Sequence, residues 1–208
     1  MWITVCALGV FTTLIGEYRS NTLLIGTGKF IAATAYVALA WSLGAAGSEY
    51  GRILLLGMGF CWAGDMLLVS SKSRKLFLFG LVSFLLGHIA YIGAFSTRGG
   101  SLLAVTCAGF VMAVFAWFVL RWLKPGLDER MRRPVLIYVL AISVMMTMAV
   151  GTYPIDKNWA IPLGALLFLI SDLAVARDRF IAPGFINRLW GLPVYFSAQL
   201  ILATSVSW

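Results

Sequence analysis

Cys61-Trp62-Ala63-Gly64-Asp65, then a basic link Lys72-Ser73-Arg74-Lys75, then Phe84-Leu85-Leu86-Gly87-His88-Ile89-Ala90-Tyr91, places one aspartate and the only histidine of the chain inside two neighbouring apolar segments. A carboxylate at the centre of a bilayer costs roughly 3 kcal/mol on insertion scales, so such a residue faces a bundle interior or a wet cavity. Asp65 and His88 are therefore the first residues that need a role.

The rest of the composition supports the bilayer reading. Of 208 residues, 61% are hydrophobic and only 12% charged, and the mean hydropathy is +0.93. A soluble domain carries about 25% charged residues. This chain cannot hide so much apolar surface from water, so lipid must be its solvent. The formal net charge of +8 does not point to nucleic acid, because the basic residues sit in short links between apolar runs. Cys6, Cys61 and Cys107 lie within apolar segments at no metal-type spacing, which indicates neither a disulfide framework nor a metal site. No charge precedes Glu17, so the amino terminus reads as a first span and not as a cleaved signal peptide.

Eight apolar runs follow from the charges, prolines and glycines: 2–16, 29–46, 52–70, 76–95, 101–120, 134–152, 158–176 and 189–207. Each is near the length of about 20 helical residues that crosses the hydrocarbon, and none alternates as a barrel strand would. The fold class is thus an all-α polytopic bundle of eight transmembrane helices forming a single integral-membrane domain, residues 1–208. Arg19 and Lys29; Lys72, Arg74 and Lys75; Arg121, Lys124, Arg130, Arg132 and Arg133; and Arg177, Arg179 and Arg188 all fall in the odd-numbered links and their flanks. The even links hold one basic residue each, Arg52, Arg98 and Lys157. The positive-inside rule then sets the odd links in the cytoplasm and both termini outside. Pro134 fits the first turn of span six, whereas Pro162 and Pro193 fall inside spans seven and eight and predict kinks or ordinary packing bends.

Spans three and four also align with spans seven and eight. Gly64-Asp65 matches Ser171-Asp172; Gly80, Phe84, Gly87 and His88 match Gly191, Tyr195, Ala198 and Gln199 without a gap. The remaining spans match poorly. A duplication would give a 4+4 parallel repeat about an axis along the membrane normal.

Counting depth at 1.5 Å per residue brings Asp65 and Asp172 to one level in the cytoplasmic half, with Tyr195 roughly 10 Å up span eight and His88 and Gln199 near mid-bilayer. A pocket open to the cytoplasm is expected, with both carboxylates and Tyr195 in its wall and His88 and Gln199 at its floor. Glu17 and Lys29 mark the inner ends of spans one and two. The structural alternatives are interhelical hydrogen bonds for Asp65, Asp172 and His88, packing for Tyr91 and Tyr195, and interfacial anchoring for Glu17 and Lys29. One histidine excludes a three-histidine zinc site, and neither a P-loop spacing nor Gly-x-Ser-x-Gly is present. Paired-carboxylate acid/base chemistry and proton-coupled transport remain.

In order along the chain, Lys29-Phe30, Gly64-Asp65, Gly87-His88-x-x-Tyr91, Ser171-Asp172 and Tyr195-Phe196-x-Ala198-Gln199 resemble the YhhN-like family of lysoplasmalogenases, small eight-span membrane proteins. Phe30 stands where that family often has proline, and Phe196 where a second tyrosine is common. The resemblance implies hydrolysis of the vinyl-ether bond of a lysoplasmalogen without a cofactor. Asp65 and Asp172 would be the catalytic acid and base in an unassigned order, with His88, Tyr195, Gln199, Tyr91 and Glu17 as a supporting network and Lys29 or Arg177 at the substrate phosphate. The implied partners are an alkenyl lysophospholipid and membrane lipids. A proton-coupled lipid or small-solute transporter and a non-catalytic lipid-binding protein are the rival readings. The chain ends Ser207-Trp208 without a retention signal, so a bacterial cytoplasmic membrane is expected over a eukaryotic endomembrane.

Overall fold

The computed structural model describes residues 1–70 and 73–208; Lys72 of the third link lies outside the described residues. These residues form eight α-helices: α1 Trp2–Tyr18, α2 Thr22–Ser42, α3 Glu49–Leu67, α4 Arg74–Ser96, α5 Leu102–Leu123, α6 Glu129–Asp156, α7 Ala160–Phe180 and α8 Phe185–Thr204. Six of them, α2 and α4 to α8, are long and apolar enough to cross a membrane by length and composition. The apolar α1 is shorter, and α3 carries Glu49, Arg52 and Asp65 along its length. Large apolar side chains such as Phe110, Val111, Trp117 and Phe118 on α5 are exposed, as a lipid-facing surface requires.

Helix starts are set by side-chain caps. Asn21 accepts hydrogen bonds from the Leu23 and Leu24 amides, and Ser48, Ser73, Ser101 and Asp128 cap α3, α4, α5 and α6 in the same manner. The Asn21 cap corrects one boundary that matters. With α2 beginning at Thr22, Lys29 is not at a helix end but about 10 Å inside, where it is buried. Asp128 likewise starts α6 early enough that Pro134 lies inside the helix, and α7 begins at Ala160, so Pro162 falls in a first turn whose amides lack helical partners anyway. Pro193 does lie inside α8, and Pro154 inside α6 joins it.

Sequence-adjacent pairs α1/α2, α3/α4, α5/α6 and α7/α8 form hairpins; α4 also packs on α6, α6 on α7, and α8 returns to α1 and α2. The α3/α4 and α7/α8 hairpins share a register. A Cβ on Gly57 would lie 3.2 Å from the Gly87 carbonyl and against the Tyr91 ring; a Cβ on Gly164 would lie 3.3 Å from the Ala198 carbonyl and against Leu202. Gly57 corresponds to Gly164, Gly87 to Ala198 and Tyr91 to Leu202 in the alignment that pairs the two aspartates, so the packing supports the correspondence seen in sequence.

The two ends of the bundle differ. At the end holding the even links, the Arg98 guanidinium lies 4.2 Å over the Tyr50 ring, pairs with Asp156 at 3.5 Å and donates to the Ser205 and Trp208 carbonyls. Asn158 donates to Ser205 O at 2.9 Å, and the Tyr50 and Ser205 hydroxyls are 2.5 Å apart. This network ties α3, both neighbouring links and the last turn together. The opposite end encloses a cavity.

Candidate active site

The cavity, of about 380 Å³, is lined by all eight helices, within the size range of small-molecule sites. It takes side chains from the C-terminal halves of α1, α3, α5 and α7 and the N-terminal halves of α2, α4, α6 and α8. The helices therefore alternate in direction, and the odd, basic links surround the cavity mouth.

Asp65, in the last turn of α3, is 3% exposed and lines the cavity. Its Oδ2 accepts a hydrogen bond from the Tyr195 hydroxyl at 2.8 Å. Tyr195 in turn receives Gln199 Nε2 at 3.3 Å and meets the Tyr36 hydroxyl at 3.5 Å; Tyr91 donates to Gln199 Oε1 at 2.6 Å. One chain of polar tips thus links α2, α3, α4 and α8. Lys29 stands on the same cavity wall.

Asp172, from α7, is the second carboxylate on the cavity, with 19% of its side chain exposed. Its Oδ2 accepts a hydrogen bond from the Tyr138 hydroxyl at 2.8 Å and lies 3.7 Å from His88 Nε2. That second distance is too long for a hydrogen bond. The His88 ring is fully buried and packs edge-on to Tyr138 and Phe168, with centroids 5.1 and 4.7 Å away. Neither of its nitrogens has a hydrogen-bond partner among the described residues. Phe168 stands between the two halves, with its centroid 5.3 Å from that of Tyr195.

The expected floor is therefore different from the observed one. His88, Tyr91 and Gln199 are buried behind the lining, and Tyr195, Phe84, Leu169 and Ile142 are on it. Glu17 does reach the cavity, but at its mouth, where it pairs with Arg188; Arg188 also meets Asp178 at 3.2 Å. Arg177 is not on the cavity wall. Its guanidinium donates to Asn187 Oδ1 at 2.5 Å, and it is Arg179 and Arg188 that line the mouth. Two tyrosines were not anticipated, Tyr138 and Tyr36. A signal for Tyr36 exists: it follows Lys29 by seven residues and so shares its helix face. Among the described residues, no three His, Cys, Asp or Glu side chains converge as a metal would require.

An all-helical bundle with an apolar exterior and two carboxylates on one internal cavity, Asp65 buried and Asp172 half-buried, defines a multi-pass membrane protein with an internal polar site. The chain belongs to the YhhN family, which it matches over residues 22–206. It is 29% identical over 158 residues to the bovine lysoplasmalogenase TMEM86A, covering 73% of this chain and 64% of that protein. It is 30% identical over 173 residues to the mouse lysoplasmalogenase TMEM86B, covering 81% and 69%. A lysoplasmalogenase of Mycobacterium bovis is 33% identical over 150 residues, covering 68% of this chain and 55% of its own length. The chain thus spans a little under two thirds of the bovine relative and about half of the mycobacterial one. No solved structure matches it.

Proposed function

We propose that this protein is a membrane-embedded hydrolase that cleaves the vinyl-ether bond of lysoplasmalogens, giving a fatty aldehyde and a glycerophospho-alcohol. The observation that carries the reading is the pair of aspartates on one cavity, each receiving a tyrosine hydroxyl. The names of the relatives point to the same reaction.

Vinyl-ether hydrolysis begins by protonation of the β-carbon, which leaves an oxocarbenium ion on the α-carbon. The task parallels glycoside hydrolysis, where one carboxylic acid gives a proton and a second carboxylate stabilises the cation or activates water. The neighbours of each aspartate support a division of the two roles. Asp65 accepts the Tyr195 hydrogen bond and shares its cavity wall with Lys29. Asp172 has the Tyr138 hydroxyl and His88 beside it. On this reading Asp172 is the proton donor and Asp65, on the wall with Lys29, the carboxylate. Asp172 protonates the β-carbon; water adds to the α-carbon and passes a proton to Asp65. The hemiacetal then collapses: its hydroxyl proton returns to Asp172, the bond to the glyceryl oxygen breaks, and Asp65 returns the proton to that oxygen. Both carboxyl groups end as they began.

The basic residues around the mouth support a cytoplasmic position for this end by the positive-inside rule. The Arg98 and Asp156 network at the other end fits a site reached from one side and disfavours transport. The test is aldehyde release from a lysoplasmalogen by wild type, Asp65→Asn and Asp172→Asn, with the saturated ether lysolipid as control. Aldehyde from the vinyl ether alone, reduced at least about 100-fold in each variant, is expected. A folded wild type that releases none across several head groups would discard the hydrolase; activity surviving in both variants would discard the site.

A further inference from the structure

The cavity is chemically divided. Glu17, Lys29, Asp65, Arg188 and Tyr195, from α1, α2, α3 and α8, line one side. On the other side α5 contributes Phe115, Val119 and Leu123, and α6 contributes Val135, Val139 and Ile142, with the Tyr138 hydroxyl their only polar group. The four-residue steps on α5, and the four- and three-residue steps on α6, put each set on one helix face. This inward face is notable on α5, where only 17% of the apolar window is buried against 44–50% in the other five long apolar helices.

Tyr138 lies on the same face of α6 as this stripe, so Asp172, which it contacts, stands at the seam between the two compartments. The lining ends soon beyond the seam. Ile142 is one turn past Tyr138, about 6 Å, and Leu169 less than a turn past Asp172, about 4.5 Å. A long alkyl chain placed at the aspartates has no path straight inward. Its apolar room lies sideways, among α4, α5, α6 and α7.

We propose that this α5–α6 compartment is the subsite for the alkenyl chain and that Val119 and Val139 determine which chain lengths are accepted. The substrate lies folded across the seam: its phosphate head group on the side of Lys29 and Arg188, its vinyl ether between the aspartates, its chain against α5. The inference rests on the hydrolase reading for its substrate. A bulkier side chain there overpacks against a chain long enough to fill the compartment and leaves a short one room, so narrowing it selects against long chains while sparing short ones.

The experiment compares Val119→Trp, Val139→Trp and Phe115→Ala with wild type on octenyl and hexadecenyl lysoplasmalogens. The thermal stabilisation of each purified protein by the corresponding saturated ether lysolipids is measured in parallel. Each tryptophan variant is expected to lose about tenfold or more in kcat/KM on the hexadecenyl substrate and to stay within about threefold of wild type on the octenyl one. Phe115→Ala moves the preference toward the longer chain and carries the test if a tryptophan variant does not fold. Equal losses at both lengths, or an unchanged profile in all three, would overturn the subsite. If wild type releases no aldehyde, the hydrolase reading falls on its own. In that case, chain-length-dependent stabilisation that Val119→Trp or Phe115→Ala alters upholds the compartment as a lipid-chain site, and stabilisation indifferent to these changes overturns it.

Discussion

Tyr195 and Tyr138 make the same 2.8 Å hydrogen bond to two aspartates in different company. A hydrogen bond to a charged group is worth about 1.5–3 kcal/mol, and one between neutral groups about 0.5–1.5. If Asp65 is the carboxylate and Asp172 the acid, Tyr195→Phe lowers kcat more than Tyr138→Phe, by roughly tenfold to 100-fold against a few-fold. Steady-state kinetics on one lysoplasmalogen checks the order, and the reverse order would exchange the two roles. A polar atom in an apolar run is conspicuous, which singles out the aspartates and Tyr195, found on the cavity wall, and equally His88 and Gln199, which lie behind it. Tyr138 and Tyr36 were not legible in the sequence, since a tyrosine in a membrane helix is as often a packing ring as a hydrogen-bond donor. Arg177 was misplaced for a local reason: neighbours on α7 point different ways, and Arg179 is the one turned to the cavity.

The helices themselves were legible as apolar runs, but their starts were not taken from the residues that set them. Asn21, Ser101 and Asp128 are capping residues in plain view, and reading Asn21 as a cap would have moved Lys29 from a helix end to the cavity wall. The matching hairpins were half visible: the aligned glycines and polar residues could be listed, while their shared contacts needed the structure. Those contacts make a prediction at the level of the hairpin. Gly57→Leu forces its side chain into Tyr91 and Gly164→Leu into Leu202. Each is expected to destabilise the folded protein by at least about 1–3 kcal/mol, and to a similar degree if the hairpins are structural repeats. Thermal unfolding in detergent measures both; a large difference would argue against equivalent packing.

For the whole bundle, apolar runs bounded by charges, prolines and glycines sufficed to find eight helices, six of which are long and apolar enough to cross a membrane. The neighbour order was not legible. Helix association in lipid depends on the fit of small residues and on a few hydrogen bonds, to which hydropathy is blind, so nothing in the runs announced that α4 packs on α6 or that α8 returns to α1 and α2. The alternation of helix directions leads to a test of orientation. In a background with Cys107 replaced by alanine, Cys6 and Cys61 being buried, Arg19→Cys should react with a membrane-impermeant thiol reagent only from the cytoplasmic side and Lys157→Cys only from the opposite side. The opposite pattern would invert the orientation in the membrane and leave the cavity unchanged.

The knot of Arg98, Tyr50, Asp156 and Ser205 has a consequence for supply. If the hydrolase reading holds and the knot keeps that end closed, the site draws on one leaflet alone: in a sealed vesicle lysolipid turnover would run quickly through the accessible half of the pool and then slow to the pace of spontaneous flip-flop.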